Sequence, residues 1–221
     1  MTRTLFFCIA EEAKPSGRRS GSVWGRVEEL KADCDYQFVP KALREFSTDP
    51  DDPPLLYYLV ESKDCPSTGE GFRMRLQDGE SFESDFIKAS KEECQNWALD
   101  KWLQPIKFNF IEQSIIAIAD ERSPQDGTLL MSFYFGEDVP DEPPMEFNGY
   151  GPLPPKGNTW YDFRIQHNAA ELFQASVLFT EPDVSFPNYF GRPEKFTDET
   201  GVFDELKAWK HTEEESSDKD E

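Results

Sequence analysis

The sequence predicts an α+β protein with a mixed β-sheet, a few packing helices and long acidic, proline-rich loops. Three observations predict this class. Apolar runs at 55–60 and 115–119 are typical of strands that are buried on both faces. The stretch 160–166 alternates apolar and polar side chains, which indicates a strand with one exposed face. Apolar residues at helical spacing in 91–103 indicate a helix.

Three elements are predicted before residue 61. Residues 4–10 are apolar and predict a strand, and 55–60 predict another after a proline-rich break at 49–54. Between them, Val23, Val27 and Leu30 recur at helical spacing and predict a short helix at 23–32.

The middle of the chain predicts a hairpin and then a helix. Residues 72–77 alternate apolar and polar side chains, and Asp78-Gly79 predicts a tight turn into a strand near 81–87. Ser90 and Glu93 have the spacing of a capping box, which predicts that the helix at 91–103 begins there.

The second half predicts two more strands besides the one at 160–166, and two more helices. Residues 114–119 and 128–135 predict strands joined by a turn at Gln125-Asp126-Gly127. Asn168 and Glu171 have the spacing of a helix cap, and they predict a helix at 169–178. The apolar residues Val202, Leu206 and Trp209 predict a final short helix. We expect one domain over 1–211 and a disordered acidic tail at 212–221.

The charge of the chain excludes some classes of partner. Its 221 residues include 44 Asp and Glu against 23 Lys and Arg, a formal net charge of −21. Nucleic acids and anionic membranes are bound through cationic side chains, so we expect neither as a partner. The same charge favours solubility, and it suits a protein partner with a basic surface. No apolar run reaches the ~18 residues of a membrane span.

Cysteine usage indicates the cellular compartment. Cys8, Cys34, Cys65 and Cys94 are widely spaced and include no C-x-x-C pair. This pattern favours free, mostly buried thiols in a reducing compartment. We therefore expect a cytoplasmic protein, with two disulfides in a secreted protein as the alternative.

Recognisable catalytic and cofactor motifs are missing from the sequence. It contains no G-x-G-x-x-G, no P-loop, no H-E-x-x-H and no G-x-S-x-G. We expect no cofactor, and the sequence leaves open whether the protein is an enzyme. His167 follows a predicted strand and is a candidate catalytic residue. The alternative is a loop histidine that bonds to nearby backbone.

An acidic group follows the predicted strand 114–119. Asp120 is a second catalytic candidate, because ligands gather beyond the carboxyl ends of strands in open sheets. Together with Glu121 and Asp126 it is a candidate site for a hard cation. The alternative, which we favour, is a hairpin in which Asp126-Gly127 only turns the chain.

The segment 136–158 is rich in proline, glycine and acids, with no hydrophobic period. It is longer than usual connections, and such loops are commonly functional. One interpretation is an acidic docking segment with Phe147 and Tyr150 as aromatic anchors. The other is an extended, solvated loop.

Two stretches resemble a known family. The first runs from Ser114 to Asp120 and through Gln125-Asp126-Gly127-Thr128 to Phe133, and the second is Thr197-Asp-Glu-Thr-Gly-Val-Phe203. They are similar to a domain-of-unknown-function family of small α+β proteins in fungi and actinobacteria, over 106–209. The chain departs from that pattern at Thr200 and in the long 136–158 segment. The resemblance implies the fold class and no activity, although some such fungal proteins look like accessory members of specialised-metabolite clusters.

These observations lead to two functional hypotheses. The first is a non-enzymatic protein-binding module that uses the 136–158 segment and the acidic surface. The second is a small-molecule-binding or accessory enzyme protein with an aromatic pocket, using Asp120 or His167.

Overall fold

Two apolar runs of the sequence form neighbouring strands at the centre of the sheet. Strand β1 (Arg3–Cys8) pairs in parallel with a later strand, Ile111–Ala119, with Leu5 opposite Ile116 and Cys8 opposite Ala119. The side chains from Leu5 to Cys8 are fully buried. A parallel strand that is buried on both faces has apolar side chains at every position, as this run does.

The fold is seen in a computed structural model that describes residues 3–10, 38–44, 56–77, 80, 82–104, 107–136 and 145–217. The predicted helix at 23–32 and Cys34 lie outside these residues. So do the break at 49–54, the turn Asp78-Gly79 and the acids between 137 and 144.

The described elements of the first part, in chain order, confirm several predictions. After β1 come α1 (Phe38–Arg44), β2 (Tyr57–Leu59), α2 (Lys91–Trp102), β3 (Ile111–Ala119), α3 (Ser123–Asp126) and β4 (Thr128–Phe135). The strands predicted at 4–10, 55–60, 114–119 and 128–135 are all present. The helix predicted at 91–103 is α2.

The described elements of the second part are β5 (Glu146–Phe147), β6 (Gly151–Pro152), β7 (Thr159–Gln166), α4 (Ala170–Leu178), α5 (Pro182–Phe186) and α6 (Glu205–Ser217). A π-helical turn, Pro187–Gly191, and a 3-10 turn, Pro193–Lys195, follow α5. The strand predicted at 160–166 is β7, and the helix predicted at 169–178 is α4.

Five strands form one mixed sheet in the order β2-β1-β3-β4-β7, which confirms the α+β class. Strand β1 is parallel to both β2 and β3. Strands β3 and β4 are neighbours joined only by residues 120–127. A parallel crossover needs a dozen or more residues, so this pair is antiparallel.

The chain divides into two compact units, Met1–Ser132 and Phe133–Glu221, so that β4 begins in the first and ends in the second. In the first unit α2 packs against β3. The Phe7 ring meets Phe86 at 4.9 Å and Trp97 at 5.8 Å between centroids. These edge-to-face contacts form an aromatic core around β1.

The start of α2 confirms the predicted capping box. The Glu93 backbone N–H donates to Ser90 Oγ at 3.1 Å, and the Ser90 backbone N–H donates to Glu93 Oε2 at 2.8 Å. Two N–H groups that the helix leaves without partners are thereby satisfied. The helix ends at Trp102.

The hairpin predicted at 72–87 is wrong. Residues 72–77 contribute one isolated bridge, between Arg73 and Leu59, and 82–88 are loop and turn. The alternation is real, because Phe72 and Leu76 are buried. The alternation therefore indicates which side chains are buried, and not a strand. The backbone N–H of Gln77 donates to the Glu80 carboxylate at 2.9 Å instead of to a neighbouring strand.

Three further predictions need correction. Asn168 lies in a 3-10 turn, His167–Ala169, and not at the cap of α4. The capping position is taken by Ala169, whose side chain has no polar atom to cap the helix. The 136–158 segment contains the antiparallel pair of β5 and β6. The tail predicted to be disordered from residue 212 is helical as far as Ser217, where α6 ends, and residues 218–221 lie outside the described residues.

In the second unit an aromatic core surrounds Phe163 of β7. Its ring centroid lies between 5.2 and 5.9 Å from four others, those of Phe173, Tyr189, Phe190 and Phe203. This contact set joins β7, α4, the π-helical turn and the loop that precedes α6. Among the described residues, no helix has the length and apolar character to cross a bilayer.

Candidate functional site

A cavity of about 300 Å³ opens beside β7 in the second unit. Five of its ten lining residues are aromatic, and one acidic and one basic residue of β7 also line it. The lining residues are Tyr161, Asp162, Phe163, Arg164, Tyr189, Phe190, Pro193, Thr197, Gly201 and Phe203. Aromatic walls with a few polar groups are typical of small-molecule sites.

A tight loop, Thr197–Phe203, borders this cavity. Asp198 Oδ1 accepts the backbone N–H of Thr200 at 2.8 Å and of Val202 at 2.9 Å. Gly201 has φ +81°, a conformation that side chains with a Cβ rarely adopt. The Phe203 N–H then donates to the Arg164 carbonyl at 2.7 Å and attaches the loop to β7.

One of the aromatic residues that line the cavity belongs to a buried polar pair. Tyr189, which lines the cavity, donates its hydroxyl proton in a short hydrogen bond to Glu205 Oε1. Glu205 is the first residue of α6 and is 1% exposed. The Ser176 hydroxyl lies near the Glu205 carboxylate and lowers its pKa. The two groups do not meet in hydrogen-bond geometry.

Burial controls the protonation of both groups. Desolvation raises the pKa of Glu205 to about 7, and the hydrogen bond from Tyr189 partly opposes this. Desolvation also raises the pKa of Tyr189 well above its usual value, and the neighbouring Glu205 charge raises it further. Tyr189 therefore stays protonated near neutral pH, while Glu205 changes charge there.

A second buried polar side chain, Asn188, fixes the adjacent guanidinium of Arg192. Asn188 Oδ1 accepts from Arg192 Nε at 3.0 Å and from Nη2 at 2.8 Å. Its amide nitrogen donates to the Ala208 carbonyl at 3.1 Å and to Thr212 Oγ1 at 2.8 Å. Asn188 thus attaches the π-helical turn to α6 and orients Arg192.

The acidic group after β3 forms a local turn. Asp120 Oδ1 accepts the N–H groups of Arg122 and Ser123 at 3.1 and 3.2 Å. Asp126 forms an ion pair with Arg122 and accepts the Thr128 N–H at 3.1 Å. Glu121 is exposed. Gly127, at φ +73°, completes the turn, so the geometry favours the hairpin interpretation, with a short helix α3 at its tip.

No group of three or more His, Cys, Asp or Glu side chains in the described parts of the chain has the arrangement of a metal site. A shallow groove of about 450 Å³ does lie between Ile9, Lys88 and Asp120. This groove is open to solvent. Residues 11–37, which follow Ile9 and Ala10 in the chain, lie outside the described residues.

His167, the other catalytic candidate, is buried in the 3-10 turn between β7 and α4. It does not line the cavity beside β7. His167 and Asp120 therefore lie in different units, and neither is among the residues that line this cavity.

The two candidate anchors differ in environment. Phe147 is buried, with its ring 6.1 Å from that of Phe186. Tyr150 is 38% exposed and lies against Gly191, where an added Cβ would be 2.5 Å from its ring. The Arg192 guanidinium lies 5.8 Å from the Tyr150 ring centroid.

Sequence reasoning did not find Glu205. The apolar spacing of Val202, Leu206 and Trp209 suggested the buried side of the last helix, but Leu206 is 54% exposed. The buried face instead carries Glu205 and Ala208, which are three residues apart. The spacing of Glu205 and Ala208, which puts them on one face of a helix, was the only sequence signal. It did not single out Glu205, because several other acids lie nearby.

No protein-family model, curated protein or solved structure matches this chain.

Proposed function

We propose that the second unit binds a small ring-containing molecule in the cavity beside β7. The observation that carries this proposal is the aromatic wall, in which Tyr161 and Phe190 meet edge to face at 5.0 Å. The volume of about 300 Å³ is at the lower end of the range for ligand pockets. A single substituted ring is the size of ligand that such a cavity accommodates.

The polar groups of the cavity indicate where the substituent of the ring would lie. Asp162 and Arg164, two residues apart on β7, are the acidic and the basic residue among those that line the cavity. Thr197 Oγ1 already donates to the Pro193 carbonyl at 2.9 Å. A ligand with a charged or hydrogen-bonding substituent would therefore be oriented toward Asp162 or Arg164.

The proposal is for binding, and it assigns no reaction. The Tyr189 hydroxyl is directed at Glu205, and Glu205 itself does not line the cavity. We place the protein in the cytoplasm, which the free thiols of Cys8, Cys65 and Cys94 support because oxidising compartments favour disulfides.

Three flat probes test the proposal: phenol, benzamidine and benzoate, which carry a neutral, a cationic and an anionic substituent. Binding is followed by shifts of backbone amide signals in NMR titrations. We expect at least one probe to shift residues that line the cavity. Tyr161→Ala should weaken that probe about tenfold, because it removes one aromatic wall.

Two variants serve as controls for the probe experiment. Tyr161→Phe keeps the ring and should bind the probe as the wild type does. Tyr150→Ala removes an aromatic side chain of the same unit that does not line the cavity, and it should also bind normally. Failure of all three probes to bind the wild type, or equal weakening by Tyr161→Ala and Tyr150→Ala, would contradict the proposal.

A second candidate function is binding of a protein with a basic surface. The observation that favours it is the β5–β6 pair within the acidic 136–158 segment, where the adjoining residues Met145 (52%) and Tyr150 (38%) are exposed. The net charge of −21 suits a basic partner. Burial of Phe147 holds this pair in the unit, so Tyr150 and not Phe147 would be the anchor.

Tyr150 and Tyr161 separate the two candidate functions. A basic partner cross-linked to the wild type should be lost with Tyr150→Ser and retained with Tyr161→Ala. Retention with Tyr150→Ser would contradict the docking role of the β5–β6 pair.

A further inference from the structure

Basic side chains converge on one side of α6 in a chain that is otherwise strongly acidic. A second cavity, of about 370 Å³, is lined by Phe196, Asp204, Leu206, Lys207, Lys210 and His211. It shares no lining residue with the cavity beside β7, so binding here is independent of the proposed function.

The Phe196 ring is the centre of this arrangement. The ammonium groups of Lys195 and Lys207 lie 5.7 and 6.0 Å from its centroid, and the His211 ring meets it edge-on at 5.6 Å. Lys207 Nζ also donates to the Lys195 carbonyl at 3.0 Å. Two ammonium groups and an imidazole are therefore held around one aromatic ring.

His211 has a cationic donor at each ring nitrogen. Lys195 Nζ makes a close contact with Nε2, and Arg192 Nη2 lies 3.4 Å from Nδ1. Lys and Arg side chains only donate hydrogen bonds, and a neutral imidazole has one accepting nitrogen. One of the two cations therefore faces an N–H group, an arrangement that a bound anion would stabilise.

The nearby described acids do not neutralise this surface. The Asp198 carboxylate is used within the Thr197–Phe203 loop, and Asp204 Oδ1 accepts the Lys207 backbone N–H at 3.0 Å. Glu205 is buried against Tyr189. Within the part of the chain that the structure describes, no carboxylate forms an ion pair with the side chains of Lys195, Lys207 or Lys210, although Asp204 lies on the cavity wall.

Arg192 is held in place before any ligand arrives. The buried Asn188 accepts two of its N–H groups, and Asn188 in turn donates to the α6 residues Ala208 and Thr212. Arg192 is not among the residues that line the cavity, but its guanidinium lies 3.4 Å from Nδ1 of His211, which is. His211 therefore has one cationic neighbour that a buried side chain holds in place.

We propose that this cavity binds a small phosphomonoester, with the phosphate among Lys207, Lys210 and His211, next to the Lys195 ammonium, and an attached ring against the apolar wall. Phosphate oxygens are the natural acceptors for several convergent lysine and arginine donors. Leu206, which is 54% exposed, supplies the apolar rim that an attached group would cover. A free phosphate ion would use the same donors without that rim.

The test is an NMR titration of the whole chain with inorganic phosphate and with phenyl phosphate at constant ionic strength. Both should shift the backbone amides of Phe196 and Lys207, and phenyl phosphate should bind more tightly. Lys210→Gln should weaken both by about three- to tenfold, because one cation is removed from the phosphate. Its side chain makes no described contact besides the cavity wall, so folding should be unaffected.

The matched control is Lys156→Gln, which removes the same charge from an exposed site of the same unit. It should leave both affinities unchanged. Equal weakening by Lys156→Gln and Lys210→Gln would indicate only diffuse attraction and would overturn the proposal. Equal binding of the two probes, or binding of a phosphorylated peptide with none of phenyl phosphate, would overturn the assignment to a small phosphomonoester.

Discussion

Replacing Glu205 by glutamine should change how the stability of the protein depends on pH. The buried carboxyl has a pKa of about 7 in the folded protein, compared with its usual 4.5. The folded state therefore binds this proton more tightly than the unfolded state does. The stabilisation is fully present below about pH 4.5 and is lost as pH rises through about 7.

The magnitude follows from the difference between the two pKa values. At about 1.4 kcal/mol for each pH unit, the wild type should lose about 3 kcal/mol of unfolding free energy through Glu205 between pH 4.5 and 7. Glutamine does not titrate, and its amide oxygen still accepts the hydrogen bond from Tyr189. Glu205→Gln should therefore escape this loss.

The assay is urea unfolding of the wild type and Glu205→Gln at half-unit steps from pH 4.5 to 8. Other titrating groups contribute equally to both proteins, so the difference in unfolding free energy isolates Glu205. It should rise by about 3 kcal/mol in favour of the variant and then level off. Glu199→Gln, which removes an exposed carboxyl of the same unit, is the control for the loss of one acid. A flat difference for Glu205→Gln would refute the account of the buried pair.

Two further predictions test other parts of the structure. Tyr189→Phe removes the hydrogen bond that favours the ionised Glu205, so the pH midpoint of the Glu205 effect should move upward when the same unfolding series is repeated in this background. Burial raises the pKa of Cys94 to about 12, so native Cys94 should react with a thiol reagent far more slowly than the half-buried Cys65, as measured by peptide mapping; equal rates would contradict the burial of Cys94.

Local signals in the sequence predicted much of the fold. The capping box of Ser90 and Glu93 involves residues three apart, so its geometry is specified within one helical turn. Continuous apolar runs predicted β1, β3 and β4 because strands covered on both faces need no polar side. The stretch 72–77 has strand periodicity without strand pairing, because burial of alternate side chains does not require a neighbouring strand.

The candidate sites depend on contacts that sequence spacing does not specify. The cavity beside β7 combines residues from 161 to 203, and Tyr189 reaches Glu205 across 16 positions. Asp120 was a candidate because it follows a strand, but its carboxylate accepts hydrogen bonds from two backbone N–H groups of the following turn. In one sequence, a carboxylate that caps a turn and one that binds a ligand look alike.

The most direct test of the proposed binding site is detection of intermolecular NOEs in solution between the tightest of the three flat probes and the protein. We expect NOEs from the protons of the probe ring to the aromatic protons of Tyr161 and Phe190, which meet edge to face among the residues that line the cavity. NOEs to other parts of the chain, with none to these two rings, would contradict it.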